Sequence, residues 1–191
     1  IELGAGNGEM MRVLIHTFNK FPKFKNSCKI NILEKSKLLQ QIQKANIKNT
    51  KVKWLNNLDE LNNFPCIFIA NEFFDALPIK QFLKKGKKWH ERHVNFANNE
   101  KLEYLDIPFD MQKFEKVIKF KISYKQTFIE YSPLASKYLK TIIGKIKLNN
   151  GGILIIDYAY IEREMKNTLQ AVFKHKYCDV LKGFRNSDIT Y

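Results

Sequence analysis

Ile-Glu-Leu-Gly-Ala-Gly-Asn-Gly, residues 1–8, carries more structural information than the rest of this sequence. Its apolar start predicts the end of a buried strand. Glycine at every second position, Gly4, Gly6 and Gly8, predicts a turn whose backbone approaches a ligand closely. A helical pattern follows from Glu9 to Asn19. A strand, a glycine turn and a helix in this order place a small molecule over a helix N-terminus at the edge of a parallel sheet.

The spacing of the glycines separates two kinds of nucleotide-binding turn. Nicotinamide and flavin folds usually carry G-x-G-x-x-G, where the helix end faces a pyrophosphate. Here the third glycine comes one residue earlier and Glu2 precedes the turn. Glu-x-Gly-x-Gly-x-Gly resembles motif I of class I S-adenosylmethionine (SAM) methyltransferases, and the cationic groups of SAM suit an adjacent acid. An ordinary glycine turn in another α/β protein is the alternative.

A second acid follows the next predicted strand. Lys29 to Leu33 is predicted to be extended, and Glu34 closes it before an amphipathic stretch from Ser36 to Lys44. Nucleotide-binding α/β folds hold ribose hydroxyls with a carboxylate at this place, about 20 residues after the glycines. The alternative is a surface glutamate that caps the following helix. The turn, the strand and the acid together favour the ribose role.

Length and composition predict one domain over residues 1–191. The chain starts inside a predicted strand without methionine, so we expect a fragment, truncated at both ends. No apolar run approaches the roughly 18–20 residues that span a bilayer. An odd number of widely separated cysteines favours a reducing compartment over a disulfide framework. These are Cys28, Cys66 and Cys178.

The formal net charge of +14 raises the question of a nucleic-acid partner. The densest basic clusters lie in residues 84–88 and 113–121. Nearly all the positive charge is lysine and it is spread along the chain, which favours a solvated surface. An acidic or RNA partner stays open. His90 and His93 lie on opposite faces of a predicted strand, and we expect no metal site.

Strands and helices alternate as in a parallel sheet, with a long interval between the fourth and fifth strands. The interval, residues 76–132, is predicted to be an insertion with small antiparallel strands over the crevice at the carboxyl ends of the sheet. The other predicted sheet strands are Val52–Leu55, Cys66–Ala70 and Ile153–Ile156. The second of these is expected to be covered on both faces, and the third ends at Asp157. A helix is predicted over Leu134–Ile146. The extended pieces predicted in the interval are Trp89–Phe96, Lys101–Leu105, Glu115–Ile122 and Thr127–Ile129.

Polar residues follow the fourth predicted strand, in Asn-Glu-Phe-Phe-Asp-Ala-Leu-Pro, residues 71–78. Glu72 is our candidate for a functional carboxylate, because an acid there pairs with a cationic acceptor and orients it. Phe73 and Phe74 are expected to fill the core. Asn71 and Asp75 have an alternative role as caps of the following turn.

The order of these segments identifies the chain as similar to the MidA family of SAM-dependent methyltransferases. The segments that carry the resemblance are residues 1–8, 71–78, 89–92, 151–160, 168–175 and 187–190. The mitochondrial members of the family are protein arginine methyltransferases that assist the assembly of respiratory complex I. Ala159 stands where the family usually has glycine.

The resemblance implies a Rossmann-like α/β fold with a mostly parallel sheet, SAM as cofactor and a protein arginine as acceptor. It implies a complex I subunit or a bacterial counterpart as substrate, in the cytoplasm of a bacterium or the mitochondrial matrix of a eukaryote. An RNA methyltransferase and a non-catalytic assembly factor are the alternatives. The implied catalytic residues are Glu72 and Asp75. The implied cofactor-binding residues are Glu2, Gly4, Ala5, Gly6, Asn7, Gly8, Glu34 and Asn71.

Overall fold

A computed structural model describes residues 1–48, 51–97, 101–161, 164–183 and 186–191. The strands are β1 (Glu2–Leu3), β2 (Ile30–Leu33), β3 (Val52–Leu55), β4 (Cys66–Asn71), β5 (Lys80–Lys85), β6 (Lys88–Phe96), β7 (Leu102–Phe109), β8 (Phe128–Tyr131), β9 (Gly151–Ile156), β10 (Gln170–Phe173), β11 (Lys176–Cys178) and β12 (Asp188–Thr190). The helices are α1 (Glu9–Phe18), α2 (Pro22–Ser27), α3 (Lys37–Asn46), α4 (Met111–Ile118), α5 (Pro133–Asn149) and α6 (Val180–Gly183), and a 3-10 turn covers Leu58–Glu60.

The chain divides into two compact units. The first contains residues 1–74 and 137–158, and the second contains residues 75–136 and 159–191. The first unit holds the glycine turn, and the second holds the segment predicted to be an insertion.

The first unit is built on a five-stranded sheet in the order β3-β2-β1-β4-β9, with every pair parallel. One face carries a core of Leu3, Leu33, Leu55, Phe68 and Ile142, the last from α5. The other face packs Ile32 against Met11 and Ile15 of α1. This confirms the predicted Rossmann-like α/β class.

The sequence predicted that β4 is covered on both faces, and the structure differs. Ile67 is 64% exposed and Leu154 of the neighbouring β9 is 54% exposed. Both residues lie on the same face of the sheet as α1 and α3, but these helices cover only the part of that face formed by β1, β2 and β3. The apolar packing of that face centres on Ile30, Ile32, Val52 and Trp54 of β2 and β3, so β4 and β9 are left exposed there.

The second unit contains two antiparallel sheets, in the orders β7-β6-β5-β8 and β11-β10-β12. Its core contains Phe82, Met111, Phe114 and Ile129. The predicted antiparallel strands are therefore present between β4 and β9 in the sequence. Their position over the carboxyl ends of the parallel strands stays a prediction.

One predicted element of this unit is wrong. Glu115–Ile122 was predicted to be extended, but residues 111–118 form α4. The Asp110 side chain accepts a hydrogen bond from the Gln112 backbone and caps the helix. Met111, Phe114 and Ile118 recur at helical spacing and pack against Phe82 and Ile129, which outweighs the local alternation that follows Val117. Strand β5 was missed altogether.

Candidate cofactor-binding site

The glycine turn joins β1 to α1 in the first unit. Gly4, Gly6 and Gly8 have φ values of 62°, 53° and 87°, in the left-handed region that glycine adopts without strain. The Gly4 backbone N–H donates to the Leu33 carbonyl of β2, and the Gly8 N–H donates to the Ala5 carbonyl. The turn is thereby fixed against the sheet at the start of α1.

The surroundings of the three glycines differ. A Cβ on Gly4 would lie 2.7 Å from Cδ2 of Phe73, and one on Gly8 would lie 3.0 Å from Cδ1 of Ile47. A Cβ on Gly6 would meet no described atom within 4 Å. Gly4 and Gly8 are therefore required by packing within the protein, whereas Gly6 borders open space in the described part of the chain.

Glu2 lies on β1 and is only 3% exposed. Its Oε2 is buried and has no hydrogen-bond partner among the residues that the structure describes. Burial raises the pKa of Glu2 from 4.5 to about 7. An ionised carboxylate in this position needs a positive partner or a hydrogen-bond donor.

Glu34 follows β2 and is 8% exposed. Its Oε1 accepts from the Ser36 backbone N–H at 2.9 Å, and its Oε2 accepts from Nε2 of Gln43 at 3.2 Å. The side chain of Ser36 caps α3, so the capping role considered for Glu34 falls mainly to Ser36. Each Glu34 oxygen retains capacity to accept a further hydrogen bond.

Asn71 and Glu72 lie at the carboxyl end of β4, and both side chains are exposed. Glu72 has a φ of 45°, and its backbone N–H donates to the Ile156 carbonyl at 2.8 Å. A non-glycine residue with positive φ stores strain, a feature that clusters at functional sites. Because β1, β2 and β4 are parallel neighbours, their carboxyl ends place the glycine turn, Glu34, Asn71 and Glu72 at one edge of the sheet.

Asp75 is buried and belongs to the second unit. Its place beside the acceptor stays a prediction, as do the roles assigned to Ala5 and Asn7 in the turn. The side chain of Asn7 accepts from the Glu9 N–H at 3.3 Å and so contacts the first turn of α1.

Phe73 and Phe74 occupy the positions expected of core residues. Their rings lie 5.2 Å apart at an interplanar angle of 78°, and Phe73 lies 5.3 Å from Tyr138 of α5. The Asp157 carboxylate accepts a hydrogen bond from the Phe74 backbone N–H at 3.1 Å. Asp157 therefore links the end of β9 to the segment that follows β4.

Sequence reasoning missed two residues that surround this edge, Gln43 and Trp54. Gln43 has no exposed surface, and its amide contacts both the turn and Glu34. The sequence carried no signal for Gln43, because the apolar residues Leu38 and Ile42 of α3 are exposed whereas Gln40 and Gln43 are buried.

No group of three potential metal ligands occurs within the described ranges, and no helix there is long and apolar enough to cross a bilayer. His90 and His93 lie on β6 at positions of opposite orientation, as predicted. His93 lies 3.8 Å from the Glu91 carboxylate, a neighbour on its own face.

Comparison with known proteins identifies the family. All residues from 1 to 191 match the family described as "Putative S-adenosyl-L-methionine-dependent methyltransferase". The chain belongs to that family. This confirms the family predicted from the sequence and SAM as the cofactor of its members.

Curated relatives of this family member include mitochondrial proteins named protein arginine methyltransferase NDUFAF7. The Caenorhabditis elegans homologue is 24% identical over 212 residues, and the human protein is 24% identical over 216 residues. Each comparison covers 100% of this chain, but 49% and 48% of those relatives. The chain thus spans about half the length of the curated relatives it matches.

The fold matches a crystal structure of a Burkholderia thailandensis protein bound to S-adenosyl-homocysteine. The TM-score is 0.76 at 19% sequence identity, and the match covers 99% of this chain and 51% of the other. A native crystal structure from the same organism gives a TM-score of 0.77. These likenesses confirm the fold.

The residues of the first unit fit SAM. The buried Oε2 of Glu2 lacks a described partner and suits a cation. The Glu34 carboxylate can accept hydrogen bonds from hydroxyl groups. Gly6 leaves the space beside the turn open. A diphosphate would be repelled by an ionised Glu2 beside the turn, whereas a cationic nucleoside would not.

Proposed function

We propose that the protein containing this chain is a SAM-dependent methyltransferase that modifies arginine side chains of a protein. The observation that carries the proposal is the buried Glu2 carboxylate without a described partner, at the strand that enters the glycine turn of a methyltransferase family member. The names of the relatives, which match over the whole chain, support arginine as the acceptor.

Each residue of the site has a distinct role in this proposal. Glu2 pairs with a cationic group of the cofactor, and Glu34 accepts hydrogen bonds from the ribose hydroxyls. The turn from Gly4 to Gly8, with Ala5 and Asn7, presents backbone at close range. Asn71 orients the reacting end of the cofactor.

Glu72 and Asp75 act on the acceptor in this proposal. A carboxylate holds a guanidinium through paired hydrogen bonds and so fixes the direction of the attacking nitrogen. Positioning and exclusion of water account for most of the rate, and removal of a proton contributes less. SAM supplies an electrophilic methyl group, so transfer to an arginine nitrogen yields S-adenosylhomocysteine and releases one proton.

We further propose that the substrate belongs to respiratory complex I or its bacterial counterpart, as the family resemblance implies. The setting is then the mitochondrial matrix for a eukaryotic protein and the cytoplasm for a bacterial one. The segment from residue 76 to 132, as an insertion over the crevice, would shape access for the protein acceptor.

Calorimetric titration with SAM tests the cofactor assignment. We expect the wild-type protein to bind SAM saturably. Glu34→Ala should lose about 1.5–3 kcal/mol of binding free energy, because hydrogen bonds to a charged acceptor are removed. Glu103→Gln, an exposed change on β7, is the control and should bind as wild type. Glu72→Ala should bind SAM normally but transfer methyl groups slowly.

The outcomes separate the alternatives. A folded wild-type protein that does not bind SAM would exclude the enzyme and favour a non-catalytic assembly factor. Equal loss of binding and transfer in Glu34→Ala and Glu72→Ala would contradict the division of roles between the two carboxylates.

A further inference from the structure

The side chain of Gln43 connects three parts of the first unit. Its Nε2 donates to the Gly6 carbonyl at 2.9 Å and to Oε2 of Glu34 at 3.2 Å. Its Oε1 accepts from the indole Nε1 of Trp54 at 2.8 Å. One fully buried amide thus contacts the glycine turn, the carboxylate after β2 and the indole on β3.

The three bonds are consistent with only one orientation of the amide. The Gly6 carbonyl and an ionised Glu34 accept hydrogen bonds and cannot donate them, so they face the NH₂ group. The indole N–H of Trp54 donates and cannot accept, so it faces the oxygen. A flipped amide would put acceptor against acceptor twice and donor against donor once. Trp54 therefore determines which end of Gln43 faces the turn.

Helix α3 supports the same arrangement with other side chains. Nε2 of Gln40 donates to the Glu34 carbonyl at 2.7 Å, and Nδ2 of Asn46 donates to the Asn7 carbonyl at 2.9 Å. A Cβ on Gly8 would lie 3.3 Å from Cγ of Gln43, so the turn packs closely on the stem of that side chain. Gln43 is the member of this group that contacts both the turn and the Glu34 carboxylate.

We propose that Gln43 is a positioning residue for the cofactor, which holds Glu34 and the Gly6 carbonyl in binding geometry, and that Trp54 fixes its amide. The inference rests on the proposed SAM binding and adds two residues to it. Neither residue is required to touch the cofactor. Their effect is to set the direction of the Glu34 carboxylate and the shape of the turn before the cofactor arrives.

The first test measures SAM affinity calorimetrically in the whole protein. Gln43→Leu removes all three bonds and should weaken binding by about tenfold. Trp54→Phe keeps an aromatic ring but frees the amide to turn, and should weaken binding by about three- to tenfold. Gln81→Leu is the control, because Gln81 is also buried and donates to Glu130 and Asn167 in the second unit. The control should bind SAM as wild type.

The second test distinguishes positioning from a purely structural role through pH. In Gln43→Glu the introduced carboxylate can still accept from Trp54, but when ionised it cannot donate to Glu34 and repels it. Lowering the pH protonates one member of the pair and restores a donor. The ratio of wild-type to variant affinity should therefore fall from about tenfold at pH 8 towards about twofold at pH 5.5.

Use of this ratio removes titrations that both proteins share. Glu2 titrates in both proteins, and the other charged groups around the site are the same in both. They include Lys44, whose Nζ lies 5.2 Å from the Trp54 ring, and Lys35, which follows Glu34. Loss of packing around Gln43 would lower affinity equally at every pH, and the same ratio at pH 8 and pH 5.5 would overturn the proposal.

A spectroscopic measurement keeps the proposal testable if Gln43→Leu does not fold. Trp54 and Trp89 are the two tryptophans of the chain. In a Trp89→Phe protein, the emission of Trp54 should change on addition of SAM and saturate with the calorimetric affinity. Gln43→Glu in that background should shift the change to higher SAM concentration.

The outcomes distinguish the positioning role of Gln43 from SAM binding itself. If the wild-type protein binds SAM, and Gln43→Glu and Trp54→Phe bind it with the same affinity, the positioning role is overturned. SAM binding then still stands. A folded wild-type protein that binds no SAM would overturn both.

Discussion

At the scale of single residues, Glu2 makes the stability of the free protein depend on pH. Its pKa of about 7 is raised by burial, so the folded state holds a proton that the unfolded chain releases near pH 4.5. The folded state therefore binds more protons between these values, and stability falls as the pH rises through this window. The position is costly without a ligand, which is typical of a binding residue.

We expect Glu2→Gln to stabilise the free protein relative to wild type as the pH rises. The gain should grow between about pH 4.5 and 7, reach roughly 3 kcal/mol and then level off. SAM binding above pH 7 should be weaker in the variant, because its amide is neutral. Urea denaturation of both proteins at several pH values measures the gain. Parallel stability curves would contradict the assignment of this titration to Glu2.

At the scale of elements, Asp106 joins three strands of the second unit. It is the register partner of Arg92, whose Nε donates to Oδ1 at 3.0 Å, and Nζ of Lys85 lies 3.0 Å from Oδ2. The hydrogen bond from Arg92 is the main reason why the pKa of Asp106 lies below its usual value, and Lys85 lowers it further. Strands β5, β6 and β7 thus share one carboxylate.

We expect Asp106→Asn to destabilise the protein by about 0.5–1 kcal/mol at pH 7, because a cross-strand ion pair is lost. Since the pKa is lowered on folding, this contribution is present above about pH 4 and disappears as the pH falls further. Denaturant unfolding at pH 7 and pH 3 measures the difference. Asp188→Asn, an exposed change on β12, is the control. A loss that persists at pH 3 would show that side-chain packing, and not charge, is responsible.

At the scale of the whole molecule, the charge of +14 bears on the choice of acceptor. Some of the lysines in the densest clusters pair with acids, as Lys85 does with Asp106 and Lys121 with Glu115. A lysine-rich surface binds RNA through phosphates without reading its sequence, and this binding weakens steeply with salt. Charge alone therefore leaves association with RNA open and does not predict the methylation of RNA.

We expect labelled methyl groups from SAM to enter an arginine-containing protein acceptor and not RNA. RNA affinity should fall by at least about tenfold between 50 and 200 mM salt, because bound counterions are released. Methyl transfer to protein should change much less. Scintillation counting of separated protein and RNA measures both, with an acceptor whose arginines are replaced by lysine as the control. Label in the RNA would favour the RNA methyltransferase instead.

Much of the fold could be predicted because its signals are local. Gly4, Gly6 and Gly8 mark the turn by their conformational freedom, and β3 was predicted at its observed bounds, Val52–Leu55. Helix α4 could not be predicted, because its sequence fits a strand as well as a helix. Its burial against Phe82 and Ile129, far away in the sequence, determines the outcome.

The sequence by itself determined the family, the glycine turn and the two carboxylates, Glu2 and Glu34, because each depends on residues that are neighbours along the chain. Only the tertiary structure decided what surrounds them. Phe73 lies against Gly4, and Trp54 holds the amide that joins Gly6 to Glu34. Such contacts join distant segments, so they follow from the packing of helices and strands on the sheet. No local pattern encodes them.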